Sequence, residues 1–380
     1  MLRRSFCVLV SFLLVPGILC FGTETEDNKQ YISSYVLAEA TTGTILEESS
    51  GDEKVPVGVM TKLMTILLAA EENKKGGFIL SDKVAVSANA NSKQGAQIWL
   101  MPGEEITAEE LMKGIIIGNA NDAAAAVAEK ISGTEEKFTA AMNEKARQLG
   151  MNNTVFTNPD GYYDSSLQVS TAADMALLTC ELSGYSCFDE YFLCKLDYIR
   201  NNETMLVNSN RLVGKYNGLK GYKTGYAEAS GYCGAFLAER DGKAYAAVLL
   251  GYEDEDEMLS HAVKLLDKGF SSYRLFTPEI PEELPVTIPV KNGSKNRVRV
   301  DCEKISAMMI KTGEADEITA MTVFPEYVYA PVKRGDKLGE ILYYKKDRYV
   351  FSSDIIAEET VDKNNLLSVI VILLKKISGF

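Results

Sequence analysis

The chain has 380 residues, and its 40 basic and 53 acidic side chains give a formal net charge of −13. Hydrophobic residues make up 46% and charged residues 24% of the sequence, a globular composition that excludes a disordered or collagen-like protein. The acidic balance argues against a nucleic-acid partner, because phosphate binding needs a basic surface. A single histidine, His261, excludes a histidine-rich zinc site, and we expect neither a metal nor a cofactor.

Both ends of the chain carry apolar segments. Residues 1–22 combine two arginines with a short apolar run and a small-residue end, which predicts a cleaved secretory signal and a protein located outside the cytoplasm. Near the other end, the nine-residue run Leu366–Leu374, apolar except for one serine, is too short to cross a bilayer, which needs about 20 residues. With the two lysines that follow, it predicts an amphipathic tail over 364–380 that lies on the membrane surface. Packing of this tail on the protein is the alternative.

The seven cysteines do not predict a disulfide framework. Five would remain after cleavage of 1–22, and they form an odd and scattered set. Cys180, Cys187 and Cys194 are seven residues apart. This spacing favours packing along a helix as their role.

Residues 23–276 are predicted to form an α+β domain in which helices pack against an antiparallel sheet. A hairpin is predicted at 35–46, interrupted by Thr41-Thr42-Gly43, and a second at 232–251 with Asp241-Gly242 as its turn. Thr107 and Glu110 indicate a capping box. Five segments have helical patterns, of which the first is apolar nearly all round: 63–70, 111–117, 122–131, 135–149 and 258–270.

A second, smaller domain is predicted at 280–360. The proline- and glutamate-rich segment 278–285 has the composition of a linker. Short strand-like runs and turn residues follow it, which predicts an all-β domain. The runs lie at 286–290, 297–300, 327–330 and 340–344.

Three short stretches carry the residues with the clearest chemistry. Val59-Met-Thr-Lys62 opens the first predicted helix, Asn119-Ala-Asn121 begins another, and Lys223-Thr224-Gly225-Tyr226 comes ahead of the second hairpin. In order and spacing they resemble the S-x-x-K, S-x-N and K-T-G elements of penicillin-interacting serine acyl-transferases. Each element alone is weak evidence, but the three in this order are specific.

The chain is similar to the D-alanyl-D-alanine carboxypeptidases, the low-molecular-weight penicillin-binding proteins, from about Tyr35 to the tail. The stretches 37–46, 149–161, 170–176 and 330–339 add to the likeness. The resemblance implies a β-lactamase-like fold, a β-rich second domain and a membrane tail.

The resemblance also implies a reaction and the residues that carry it out. A serine attacks the terminal D-Ala-D-Ala bond of a peptidoglycan stem peptide, and water then releases the acyl-enzyme. Lys62 would supply the base, and Asn119 and Asn121 would belong to the catalytic group. Substrate binding would fall to the K-T-G element and the residue after it: Lys223, Thr224, Gly225 and Tyr226.

The pattern breaks at its most important position. Val59 stands where the family has its nucleophilic serine, and valine has no atom that can attack a carbonyl carbon. Asn119 replaces the serine of the second element, and Gln168 stands where the family often has histidine. Lys62, Asn121 and the Lys-Thr-Gly element are retained.

Three functions remain open at this point. The first is a pseudoenzyme that binds D-Ala-D-Ala stem peptides or a partner wall enzyme through the retained cleft. The second is an active carboxypeptidase with another nucleophile, such as Thr61 or a water activated by Lys62. The third is a wall-binding scaffold that acts through the β domain and the tail, whereas a β-lactamase would not need either. For Lys62, a purely structural role, with bonds to Asn121 and backbone carbonyls, is an equal alternative to a catalytic one. His261 is expected to be a partly exposed structural residue.

Overall fold

The computed structural model describes residue 31 and residues 33–162, 168–305 and 307–364. The predicted signal at 1–22 and nearly all of the predicted tail at 364–380 lie outside these residues. The helices are α1 (Lys62–Lys75), α2 (Ala88–Asn91), α3 (Ala108–Ile116), α4 (Asn121–Ser132), α5 (Glu135–Gln148), α6 (Ala172–Leu182), α7 (Asp189–Phe192) and α8 (Glu255–Ser272).

The strands fall into two main sheets and several two-stranded pairs. In the first part of the chain they are β1 (Ser34–Glu39), β2 (Ile45–Ser49), β3 (Val55–Pro56), β4 (Lys83–Ala85), β5 (Glu105–Thr107), β6 (Val169–Ser170), β7 (Leu196–Ile199), β8 (Thr204–Val207), β9 (Leu219–Ala227), β10 (Gly231–Arg240) and β11 (Lys243–Tyr252). The later strands are β12 (Tyr273–Phe276), β13 (Thr287–Lys291), β14 (Arg297–Cys302), β15 (Met308–Lys311), β16 (Ile318–Val323), β17 (Val328–Tyr329), β18 (Lys337–Lys345) and β19 (Arg348–Ala357).

A five-stranded antiparallel sheet organises the first domain, in the order β2-β1-β11-β10-β9. Helix α8 packs on one face, and α6 packs on the other with the remaining helices behind it. Because both faces are covered, side chains such as Val36 and Leu37 are buried although they point to opposite sides. This explains why the predicted first hairpin, which is confirmed as β1 and β2, shows no clean alternation of polar and apolar residues.

The predicted helices of the first domain are confirmed, with small changes in their bounds. The apolar run 63–70 lies inside α1, where every residue from Lys62 to Ala70 is buried. Helix α1 ends at Gly76, whose left-handed φ of 81° suits glycine. Thr107 and Glu110 form the predicted capping box at the start of α3. The α+β class is therefore confirmed.

A six-stranded sheet follows, in the order β16-β18-β19-β14-β13-β17. The four predicted β runs all contribute strands to it. Sequence patterning did not identify β16 or β19, because β16 is largely exposed and the first half of β19 mixes polar and aromatic residues without a buried face. β15 was also missed, and it pairs with β12 outside this sheet.

Lys223 precedes the second hairpin, as predicted, and lies within β9, a strand that pairs with β10. One expectation about the first domain is wrong. The three evenly spaced cysteines do not share a helix, because α6 ends at Leu182, before Cys187 and Cys194. All three still contact the main hydrophobic core, which supports a packing role. Of the described helices, none is both long enough and apolar enough to span a membrane.

Candidate active-site cleft

The three sequence elements meet in one open cleft of about 790 Å³. One wall is the short 3₁₀ turn Gly58–Thr61 and the start of α1. The start of α4 and the loop Asp160–Tyr162 form a second wall, and the end of β9 with the turn after it forms a third. The described lining residues include Val59, Lys62, Asn119 and Asn121, and they contain no serine, threonine or cysteine.

Val59 is half-buried and lines the cleft. Residues three apart in a 3₁₀ turn lie on the same side, so Val59 and Lys62 face the cleft together. Val59 also packs tightly against β9: a Cβ built on Gly225 would lie 2.5 Å from Val59 Cγ1. Glycine at 225 therefore leaves room for the branched side chain at 59. That position 59 is the nucleophile position stays a prediction from the motif.

Lys62 is held by two acceptors inside the cleft. Its Nζ donates to Asn121 Oδ1 and to the Asp160 carbonyl oxygen, each at 2.5 Å, and the residue is only 2% exposed. Burial lowers the pKa of Lys62 to about 8, an effect that the nearby carboxylates of Asp160 and Asp122 partly oppose. Burial also raises the pKa of Asp160. The amine of Lys62 is therefore expected to lose its proton near pH 8, well below the pH at which an ordinary lysine does so.

Lys62→Met is expected to remove the contribution that Lys62 makes to the pH dependence of folding stability above pH 8. The pKa of Lys62 is about 8 in the folded chain and near its ordinary 10.5 when unfolded. Between these values the unfolded chain binds more protons, so the natural protein gains stability as the pH rises. Below pH 8 it carries the full cost of burying the ammonium group.

The measurement is urea unfolding of both proteins from pH 7 to 10.5. The natural protein should gain roughly 3 kcal/mol relative to the methionine variant, because each pKa unit corresponds to about 1.4 kcal/mol. The two acceptors that methionine leaves unpaired add only a constant difference. Parallel stability curves would show that Lys62 is not buried as described.

Thr61, the alternative nucleophile, does not reach the cleft. It is fully buried, and its Oγ1 accepts a hydrogen bond from Gln168 Nε2 at 2.8 Å. Gln168 Oε1 in turn accepts from the backbone N–H groups of Thr157 and Asn158. Gln168 therefore ties the 3₁₀ turn to the loop that carries Asp160, a structural role that its position in the motif did not indicate.

Asn119 joins the second element to β9. Its backbone is left-handed, with a φ of 58°, a conformation that asparagine tolerates. Its Nδ2 donates to Ser209 Oγ at 3.0 Å and to the Thr224 carbonyl at 3.3 Å. Ser209 was missed by sequence reasoning, because an Asn-Ser-Asn segment after a strand looks like an ordinary turn.

Asn121 connects three parts of the cleft. Besides accepting from Lys62, its side chain donates through Nδ2 to the Gln94 carbonyl at 2.5 Å. Its backbone N–H donates to the Ala96 carbonyl at 2.7 Å. Asn121 thus fixes the Gln94–Ala96 segment and the Lys62 amine relative to each other.

The four predicted substrate-binding residues divide into two groups. Gly225 and Tyr226 line the cleft, and Tyr226 is 54% exposed. Lys223 and Thr224 are each 1% exposed and are not among the lining residues. Lys223 Nζ donates to the carbonyls of Ile115 and Ile116 at 2.7 and 3.0 Å, which are the last residues of α3.

The surroundings of Lys223 disfavour its charge. Burial lowers the pKa of Lys223 well below its ordinary value, and the nearby charge of Lys62 lowers it further. Thr224 Oγ1 donates to Ser209 Oγ at 3.2 Å. In this structure the two side chains therefore tie β9 to α3 and to the segment after β8. Direct contact of either with a substrate stays a prediction.

His261 does not belong to the cleft, and the described residues offer no cluster of metal ligands. His261 is half-buried on α8, with Nδ1 2.6 Å from the Tyr252 hydroxyl and its ring against Tyr35, as expected of a structural residue. Within the described ranges, no group of three or more histidine, cysteine, aspartate or glutamate side chains is arranged to hold a metal ion.

Comparison with known proteins covers almost the whole chain. The family of D-alanyl-D-alanine carboxypeptidases (Peptidase_S11) matches residues 23–254, and the penicillin-binding protein 5 C-terminal domain matches residues 280–363. D-alanyl-D-alanine carboxypeptidase DacF of Bacillus subtilis (strain 168) is 34% identical over 351 residues, which cover 91% of this chain and 90% of that protein. DacC of Escherichia coli (strain K12) is 29% identical over 360 residues, with coverages of 93% and 90%.

Solved structures agree with these matches. Penicillin binding protein 5 from Haemophilus influenzae superposes with a TM-score of 0.75 at 26% identity, covering 87% of this chain and 97% of that one. The carboxypeptidase DacD from Francisella tularensis gives 0.71 at 25% identity, with coverages of 87% and 94%. These matches confirm the predicted fold, a transpeptidase-like domain followed by a β domain. This chain belongs to the D-alanyl-D-alanine carboxypeptidase family.

Proposed function

We propose that this protein is a catalytically silent family member that binds peptidoglycan stem peptides through its cleft and does not form an acyl-serine. The single observation that carries the proposal is Val59, whose methyl groups occupy the cleft where the motif requires a hydroxyl. The relatives from Bacillus subtilis and Escherichia coli are both named D-alanyl-D-alanine carboxypeptidases. We therefore take a peptide ending in D-Ala-D-Ala as the ligand.

The surroundings of Val59 support loss of catalysis rather than transfer to a neighbour. No serine, threonine or cysteine is among the described lining residues, and the Thr61 hydroxyl is buried against Gln168. Serine attack on a carbonyl depends on a base held next to the hydroxyl. Here the base is retained as Lys62, but the described lining offers it no aliphatic hydroxyl to deprotonate.

The same surroundings support a cleft that still binds. An inactive site with no remaining use need not keep its polar framework, yet Lys62, Asn121 and the Asp160 carbonyl remain joined by short hydrogen bonds. Tyr226 and Tyr162 are exposed beside this framework, where they can pack against a peptide. Secretion through the 1–22 signal and attachment through the 364–380 tail would bring the cleft to the outer face of the membrane.

The test combines covalent labelling with reversible binding. Natural protein incubated with fluorescent penicillin should give no fluorescent protein band after denaturation. Titration calorimetry should detect reversible binding of a stem pentapeptide ending in D-Ala-D-Ala. A pentapeptide ending in L-Ala-L-Ala serves as the matched control ligand. A covalent band, or equal binding of the two peptides, would contradict the proposal.

A second candidate, an active carboxypeptidase that uses a Lys62-activated water, is favoured by one observation. The lowered pKa of Lys62, about 8, leaves a neutral amine available to accept a proton. Release of D-alanine from the pentapeptide, lost in Lys62→Met, would establish this function. No release from pure protein across pH 6 to 10 would exclude it.

A further inference from the structure

Trp99 is the single tryptophan of the chain, and it stands on the surface with its side chain 73% exposed. Large aromatic side chains normally lose most of their contact with water on folding. The backbone of Trp99 is also left-handed, with a φ of 59°, a conformation that a bulky side chain adopts only at an energetic cost. An exposed ring contributes little packing that would offset this cost, so a strained aromatic residue here indicates a function.

Two charged side chains hold the backbone on either side of Trp99. Asp122, which is 1% exposed, accepts from the Ile98 N–H at 3.1 Å and from the Leu100 N–H at 3.0 Å. Arg200 donates to the Ile98 carbonyl at 2.5 Å and to the Trp99 carbonyl at 3.4 Å. The indole ring therefore projects from a fixed backbone, and a ligand would meet a preformed contact, which reduces the entropy cost of binding.

The segment that carries Trp99 also forms part of the cleft. Ala96 is a lining residue, and its carbonyl accepts from the Asn121 N–H at 2.7 Å. Trp99 follows three residues later, so the two Cα atoms are at most roughly 11 Å apart. A fully extended pentapeptide spans about 17 Å. When the D-Ala-D-Ala end of a stem peptide occupies the cleft, the sugar-linked end of the same peptide is therefore within reach of Trp99.

From this placement we propose that Trp99 is a sugar-binding residue, whose indole ring stacks on a sugar of the glycan strand that carries the stem peptide. The inference rests on the proposed peptide binding and extends the ligand from a peptide to a muropeptide, which is a disaccharide with its peptide attached. The apolar C–H face of a sugar ring can lie flat on an aromatic face, where burial of both surfaces is favourable. The sugar hydroxyl groups stay in water, as they can beside an exposed ring.

A protein partner fits this position less well than a sugar does. A specific interface between two proteins buries about 800 Å² on each of them. Trp99 and Met101, which is 63% exposed, provide much less apolar surface than that. A single sugar, in contrast, needs only one aromatic face.

The first test uses Trp99 as its own reporter, because the fluorescence of the natural protein comes from this one indole ring. The protein is titrated with the stem pentapeptide, and separately with the same peptide attached to the disaccharide of N-acetylglucosamine and N-acetylmuramic acid. The muropeptide should bind at least about tenfold more tightly and should shift the emission to shorter wavelength, because the ring leaves water. The peptide alone should bind without this shift.

The outcomes of this titration separate the present inference from the proposed function. Equal affinity for the two ligands, with no emission shift, would overturn the sugar contact and leave peptide binding intact. Contact with a protein would then be the remaining explanation of the exposed ring. If calorimetry detected binding of neither ligand, the proposed function would fail, and the sugar contact with it.

The second test replaces Trp99 without disturbing its backbone. Asparagine tolerates the left-handed conformation, so Trp99→Asn should fold and should not lower the urea concentration at the midpoint of unfolding. It should remove the roughly tenfold preference for the muropeptide over the peptide. The matched control is Tyr329→Asn on β17, a 60% exposed aromatic residue of the second domain, which should keep the preference. A folded Trp99→Asn protein that still prefers the muropeptide would overturn the proposal.

Discussion

Val59→Ser is expected to convert a protein that penicillin does not label into one that it labels stoichiometrically. Residue 59 lies three positions before Lys62 on the cleft side of a 3₁₀ turn, so a serine hydroxyl there faces the same space as the amine. Lys62 is already buried, with a pKa of about 8, which suits it to accept the hydroxyl proton. The change adds one oxygen and removes steric bulk, so it should not strain the turn.

The chemistry expected of this variant is a single acyl transfer. The introduced hydroxyl oxygen attacks the β-lactam carbonyl carbon, Lys62 takes the hydroxyl proton, and the ring C–N bond breaks as its nitrogen becomes protonated. The rate should rise through about pH 8, as the neutral form of Lys62 becomes populated. We expect an increase of at least about a hundredfold over background, the range that a positioned base supplies.

Two variants serve as controls for the serine substitution. Val59→Ala removes bulk without adding an oxygen, and Val59→Ser with Lys62→Met adds the oxygen without the base. Neither should be labelled, and in-gel fluorescence after denaturation distinguishes all three. Adding Asn119→Ser, which restores a hydroxyl to the second element, should raise the rate further. If folded Val59→Ser protein takes no label, the cleft has lost more than its nucleophile, and reversible peptide binding would need another explanation.

The sequence predicted the residues of the cleft better than it predicted their contacts. The resemblance of the three elements to the family motifs predicted that Val59, Lys62, Asn119 and Asn121 belong to one site, and the structure places all four in the same cleft. The buried helix at 63–70 was equally clear, since an apolar run without a polar face has to lie inside a domain.

The positions of Lys223 and Ser209 could not be predicted in the same way. Residue type suggested that the Lys223 ammonium would bind a carboxylate, but the fold places it next to the end of α3, where two backbone carbonyls accept its hydrogen bonds. Ser209 is about ninety residues from Asn119 and fifteen from Thr224, and its contacts with both follow from the pairing of distant segments. Local patterns carry no information about such contacts.

Gly161→Ala is expected to be the most destabilising single-methyl change at the cleft. A Cβ on Gly161 would lie 1.8 Å from the Gly58 carbonyl oxygen and 2.7 Å from its carbon, and both are backbone atoms that cannot turn away. The φ of Gly161 is also +75°, which side chains disfavour. Together these effects should cost on the order of 3 to 5 kcal/mol in free energy of unfolding.

Gly150→Ala provides the control, because it separates the backbone conformation from the close contact. Gly150 has nearly the same φ, +78°, but nothing lies within 4 Å of its added Cβ, so alanine there should cost only about 1 kcal/mol. Urea unfolding of both variants measures the difference. A large excess cost at 161 would mean that the loop bearing the Asp160 carbonyl is pressed against the turn bearing Val59, which is what keeps Lys62 fixed in the cleft. Equal costs would show that the two segments are not in contact and that this loop does not hold Lys62 in place.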